Sequence, residues 1–118
     1  MDSILTSVKK HIGVDEDCKA FDVDITDHIN SVFVILWQLG VGPKKCFRIE
    51  DEFNTWDEFL NGNDELEAVK TYIGQKVKLL FDPPTNSSLL QALKESINEF
   101  EWRLNIISET LTEEKEEA

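Results

Sequence analysis

VKTYIGQKVKLLFDPPTNSSLLQALKESINEFEWRLN, residues 69–105, is the stretch on which the fold turns. Ahead of the proline pair, Val69, Ile73, Val77 and Leu80 recur at three- and four-residue intervals, and beyond it Leu89 or Leu90, Leu93, Ile97, Phe100, Leu104 and Ile107 do the same. Such intervals lay one apolar stripe along an α-helix of about 3.6 residues per turn, whereas a strand needs strict alternation. Pro83 and Pro84 lack an amide hydrogen and disfavour helix at the residue before them, so they separate two helices. Thr85 or Asn86 stands where it can cap the second. So short a break predicts an antiparallel hairpin and an all-α fold built around it.

Working outward, the upstream helix extends its stripe to Leu66, with Asn63 or Asp64 as cap, and the downstream one carries a Glu99–Arg103 pair one turn apart. Thr55 and Glu58 have capping-box spacing, so TWDEFL (55–60) reads as a one- or two-turn helix closed by NGND. KKCFRIEDEF (44–53) has no helical period, and Cys46–Ile49 reads as a short strand or an extended arm. Ile25, Ile29, Val32, Phe33 and Leu36 form the stripe of a long helix capped by Asp24 and ending at Leu39 before GVGP. Ile4, Leu5, Val8 and Ile12 form that of a short one, with Asp2 or Ser3 as cap and Gly13 as stop. The expected architecture is a small helical bundle, residues 1–107, with three longer helices and one or two short ones. The acidic tail 108–118, SETLTEEKEEA, holds a single leucine and is expected to be disordered.

A chain of 118 residues with 41% hydrophobic side chains is long enough for one core of its own. Its longest apolar run, VFVILW at 32–37, is far short of the ~20 residues that cross a bilayer. The N-terminus lacks the basic head and sustained apolar stretch of a secretory signal, so a cytoplasmic start is expected. The net charge of −12 argues against an independent grip on a phosphate backbone. That charge is concentrated: residues 50–67 hold eight acids and no base, and residues 108–118 hold five acids and Lys115, while the remainder nearly balances.

Nothing in the chain assembles into a recognisable catalytic or metal motif. Cys18 and Cys46 form no CxxC, and His11 and His28 have no second His or Cys at ligand spacing. DEDCKAFDVD (15–24) invites comparison with a calcium loop but lacks the glycine at its sixth position and the glutamate at its twelfth. There is no phosphate loop and no GxSxG. The expectation is a non-enzymatic protein without cofactor or metal.

Four side chains exceed what one small core needs. Val34 and Trp37 lie off the stripe of their helix, and Trp102 and Ile106 lie off the stripe of the last. A helix that is apolar on more than one face is either central or meets another subunit, so these four are the candidate interface residues.

The LGVGP turn, the TWDEFL segment and LLFDPP followed by a helix ending EWRLN resemble, in this order, the small head-to-tail connector proteins of long-tailed bacteriophages that infect Gram-positive bacteria. The resemblance covers most of residues 3–107. It implies an all-helical adaptor, soluble in the host cytoplasm before assembly, which forms a homo-oligomeric ring on the portal protein in the virion neck; the net charge of −12 opposes self-association, so a monomer is expected in isolation. A further neck or tail protein would dock below, and DNA would pass through the ring without being bound specifically. In such a ring Glu50, Asp51, Glu52 and Asp57 would face the channel or the next neck component. The alternative is an acidic regulator or inhibitor of DNA-mimic type that occupies a basic protein surface. A mimic needs carboxylates along one continuous face, whereas here they are compressed into a loop, a capping helix and a helix start.

Overall fold

The computed structural model describes residues 3–42, 45–60 and 68–117, and these contain five helices: α1 (Ile4–His11), α2 (Asp22–Gln38), α3 (Trp56–Leu60), α4 (Ala68–Phe81) and α5 (Ser87–Glu117). Three are long and two short, within the expected three longer helices and one or two short ones. Several of their ends have a local cause. The Ser3 hydroxyl accepts from the Thr6 amide to cap α1, and the Asn86 side chain accepts from the Ser88 and Leu89 amides to cap α5. The Glu58 carboxylate returns to the Thr55 amide at 3.1 Å and starts α3. α1 and α2 both finish in Schellman turns, with Val14 N donating to Lys9 O and Val41 N to Leu36 O. The left-handed residues these turns require are Gly13 and Gly40, both at φ 82°.

α4 is the hub, packed against α5, α2 and α1. Its Val69, Tyr72, Ile73 and Val77 are fully buried. At Gly74 the α1 helix comes so close that a Cβ would stand 2.7 Å from the His11 ring. That close approach accounts for a glycine inside a helix, where it costs about 1 kcal/mol relative to alanine. α4 and α5 run antiparallel: Ser96 Oγ donates to Gln75 at 3.0 Å, and one turn further from the proline break Tyr72 Oη donates to Glu101 at 3.3 Å. The buried stripe of α2 is Ile25, Ile29, Val32, Phe33 and Leu36. The segment between α2 and α3 is tied down by Phe33, Phe47 and Phe59, whose rings sit 4.9–5.3 Å apart.

One buried polar group was invisible to periodicity. Lys9, 2% exposed, donates from Nζ to Glu16 O at 3.0 Å, Cys18 O at 2.7 Å and the Asp22 carboxylate at 2.7 Å.

Several expectations are corrected. α2 starts at Asp22 and not after Asp24, because Asp22 turns its carboxylate to Lys9 from within the first helical turn. Cys46–Ile49 forms no strand and joins no ladder; the Ile49 backbone is paired to the Asn30 side chain instead. Leu80 is 45% exposed, since the core face of α4 swings through Tyr72 and Val77 and leaves it at the rim. Of the Leu89/Leu90 pair it is Leu90 that turns inward, and Phe100 is half-buried, while Ile97 and Leu104 carry the contact. The α5 backbone runs as helix through Glu117, and residues 108–117 contain no Gly or Pro to stop it. Leu66 and the caps Asn63 and Asp64 lie outside the described residues.

Two predictions follow from this packing. Lys9→Ala leaves two carbonyls and a carboxylate without their donor; with Asp22 still 24% exposed to water, the expected loss is about 2–4 kcal/mol, read as a lower urea midpoint at unchanged slope. A shift below about 0.5 kcal/mol would show that water replaces the ammonium at no cost. Tyr72 has its pKa raised by burial first, then by the Glu101 charge and hydrogen bond. The folded state therefore holds a proton that the unfolded chain releases, and stability falls as pH rises above about 10. Tyr72→Phe should reduce that alkaline loss in urea titrations at pH 8 and pH 11; Lys19, raised by Glu52, contributes in the same direction and remains. An unchanged alkaline slope would remove Tyr72 as its source.

Candidate functional site

The chemistry-bearing side chains are engaged in packing. His11 sits over Gly74, the His28 ring lies 6.3 Å from Phe81, and both cysteines are free thiols. Among the described residues no three His, Cys, Asp or Glu side chains gather to hold a metal ion. The 15–24 stretch does wrap a cation with its oxygens, and that cation is the Lys9 ammonium. No helix among the described residues is long and apolar enough to cross a membrane.

Two surfaces remain. The first is apolar. Val34 is 43% exposed, Trp37 48%, Trp102 66% and Ile106 39%. Asn105 Nδ2 donates to Leu39 O at 3.3 Å, which seats this part of α5 against the end of α2. Trp37 lies two residues before Leu39, and Trp102 and Ile106 flank Asn105 in sequence. The fold thus brings together the parts of α2 and α5 that carry the two pairs, 66 residues apart along the chain at the Leu39–Asn105 bond. Large apolar side chains left exposed are what a partner surface covers.

The second surface is a groove of about 510 Å³ between α2 and residues 48–52. Its far wall hangs on Asn30: the Ile49 amide donates to Asn30 Oδ1 at 2.7 Å and Asn30 Nδ2 donates back to Ile49 O at 3.0 Å. The side-chain amide thereby replaces the neighbouring strand that an extended segment usually needs. Asn54 Oδ1 accepts from the Glu50 and Asp51 amides and shapes the bend that follows. Glu50, Asp51 and Glu52 line the groove together with Asp22 and Asp27, while Lys19 crosses it to Glu52 at 3.0 Å. The Glu52 hydrogen bond and charge raise the Lys19 pKa above its ordinary value. Asp57 is exposed on α3 and is not part of the lining, so the fold separates it from the other three candidate acids.

Asp22, Asp27, Asn30 and Arg48 were not identified from sequence as groove residues. A signal was available: Val23, Asp27, Asn30, Val34 and Trp37 follow one another at alternating four- and three-residue steps, a second stripe on α2 partly masked by its polar members.

Comparison with protein-family models matches residues 4–110 to the family described as Phage connector protein. No curated protein and no solved structure matches the chain. The matched span begins at the first core residue of α1 and runs past Leu104, the last buried residue of α5 among the described residues, so it takes in the whole described core. The chain belongs to the phage connector protein family.

Proposed function

We propose that this chain is a non-enzymatic structural component of the phage neck, whose copies form a ring on the portal protein and join head to tail around the DNA channel. The observation that carries the reading is the family match over residues 4–110, spanning every core-forming helix. The exposed pair Trp37 and Trp102, with Val34 and Ile106, supports it, because a ring subunit buries such a patch against its neighbour or the portal. The net charge of −12 per copy opposes association in free solution, so the protein is monomeric in the host cytoplasm until the portal supplies a template. Glu50, Asp51 and Glu52 together, and Asp57 from its separate position on α3, face the DNA path or the next neck or tail protein. Repeated around a ring, acids of this density repel phosphates, and DNA passes without the counterion-releasing contacts that would hold it. An acidic regulator of DNA-mimic type is less well supported, since Glu52 is paired to Lys19 and Asp51 Oδ1 accepts from the Phe53 amide, leaving no continuous row of free carboxylates there.

In particles lacking this protein, DNA-filled heads and separate tails should accumulate, and purified protein added back should join them. Heads and tails that join equally well without it would overturn the reading. Trp102→Ala should keep the wild-type melting temperature yet lower incorporation into necks at least about 30-fold, the effect of losing an interface aromatic worth about 2 kcal/mol or more. Equal loss of folding and incorporation would place Trp102 in a structural role.

A further inference from the structure

We infer that the groove between α2 and residues 48–52 is a docking site for an extended, basic segment of a neighbouring protein, gripped from opposite walls by Asp27 and Glu50. That the neighbour belongs to the neck rests on the function proposed above; the chemistry of the groove does not.

The lining carries five carboxylates against two cations, Lys19 and Arg48. Three of the five are already engaged. Asp22 holds Lys9, Glu52 holds Lys19, and Asp51 accepts from the Phe53 amide. Asp27 on α2 and Glu50 on the facing arm make no side-chain hydrogen bond or ion pair among the described residues, and both are exposed. Two unengaged carboxylates on opposite walls favour a cationic occupant, and their sign excludes a nucleic acid. Arg48 lies on the same wall as Glu50, so the favourable field covers a short basic run and not a long polybasic one.

Shape adds to charge. Val23, 75% exposed, stands one turn before Asp27 and offers the occupant an apolar contact beside the acidic one. An extended chain sends successive side chains to opposite sides, so alternating basic and apolar residues satisfy both features at once. Asn30 clamps the Ile49 backbone on both its donor and its acceptor, and Asn54 fixes the bend. The wall is therefore set before binding, which lowers the ordering cost of association.

The test is a titration of the full-length, 15N-labelled chain with the acetylated, amidated peptide Lys-Val-Arg-Val-Lys, and with its counterpart in which glutamate replaces each basic residue. Amide shifts confined to Val23, Asp27, Asn30, Glu50 and Asp51, weakening with added salt and absent with the acidic peptide, are expected. Asp27→Asn combined with Glu50→Gln should weaken binding about tenfold, whereas Glu95→Gln with Glu99→Gln, which removes the same charge from the exposed side of α5, should leave it within about twofold. Shifts spread over the whole acidic surface, equal loss in both double variants, or self-association through the groove would overturn the inference. The isolated chain is the object of this measurement, so its failure leaves the neck function standing. Failure of the wild-type chain to join heads to tails would overturn the neck function and leave the peptide result intact.

Discussion

Lys9 ties the bundle together at the point where apolar packing alone would leave it loose. It occupies a buried position of α1, between Val8 and the Schellman turn, and its ammonium meets three oxygens within 3.0 Å. An unpaired charge at 2% exposure would be expelled or neutralised, so the surrounding chain must supply acceptors in a defined geometry. Two come from the loop after α1 and the third from the first turn of α2. One donor group thus sets where the loop runs and where α2 begins. Phe21, at the N-cap of α2, makes no side-chain capping bond, so the start of that helix depends on the Lys9–Asp22 pair more than on local capping.

Once α2 is placed, the surfaces follow. One stripe of the helix meets α4 through residues buried to the last few square ångströms, and the opposite stripe is committed to solvent. The arm at 46–50 crosses that outer stripe at Asn30 and divides it. Val23 and Asp27 fall on the groove side, and Val34 and Trp37 fall toward the end shared with α5. A small connector needs surfaces for several neighbours at once, and a helix with two usable faces supplies them without enlarging the core. α5 works the same way. At about 1.5 Å per residue its 31 residues span about 46 Å, close to the 47 Å long axis of the molecule, and only one stripe of that length is needed to close the bundle.

The candidate surfaces were only partly legible beforehand. Trp37 and Trp102 could be singled out because their helical positions disagreed with the buried stripe, and a large aromatic side chain outside its stripe is visible in a linear sequence. Glu50, Asp51 and Glu52 were conspicuous as charge but not as part of a groove, because a groove has two walls and the second is 20 or more residues away on α2. Asp57 was grouped with them on proximity along the chain, and a single turn of helix was enough to carry it elsewhere. Asn30 belongs to the second stripe of α2, but its clamp on Ile49 could not be read from that, since a polar residue on the outer face of an amphipathic helix looks the same whether it meets water or clamps a backbone.

By itself the sequence determined the helical class, the number of long helices, the proline break and most of the buried stripe. Those features depend on interactions within about four residues, which spacing and capping chemistry report directly. Tertiary structure alone decided the burial of Lys9, the seating of His11 on Gly74, the exposure of Leu80 and the closing of the groove over Asn30. Each of these depends on which groups meet from distant parts of the chain. A lysine at the edge of an apolar stripe reads as exposed, and it becomes buried only because a loop and a second helix bring three oxygens to its ammonium.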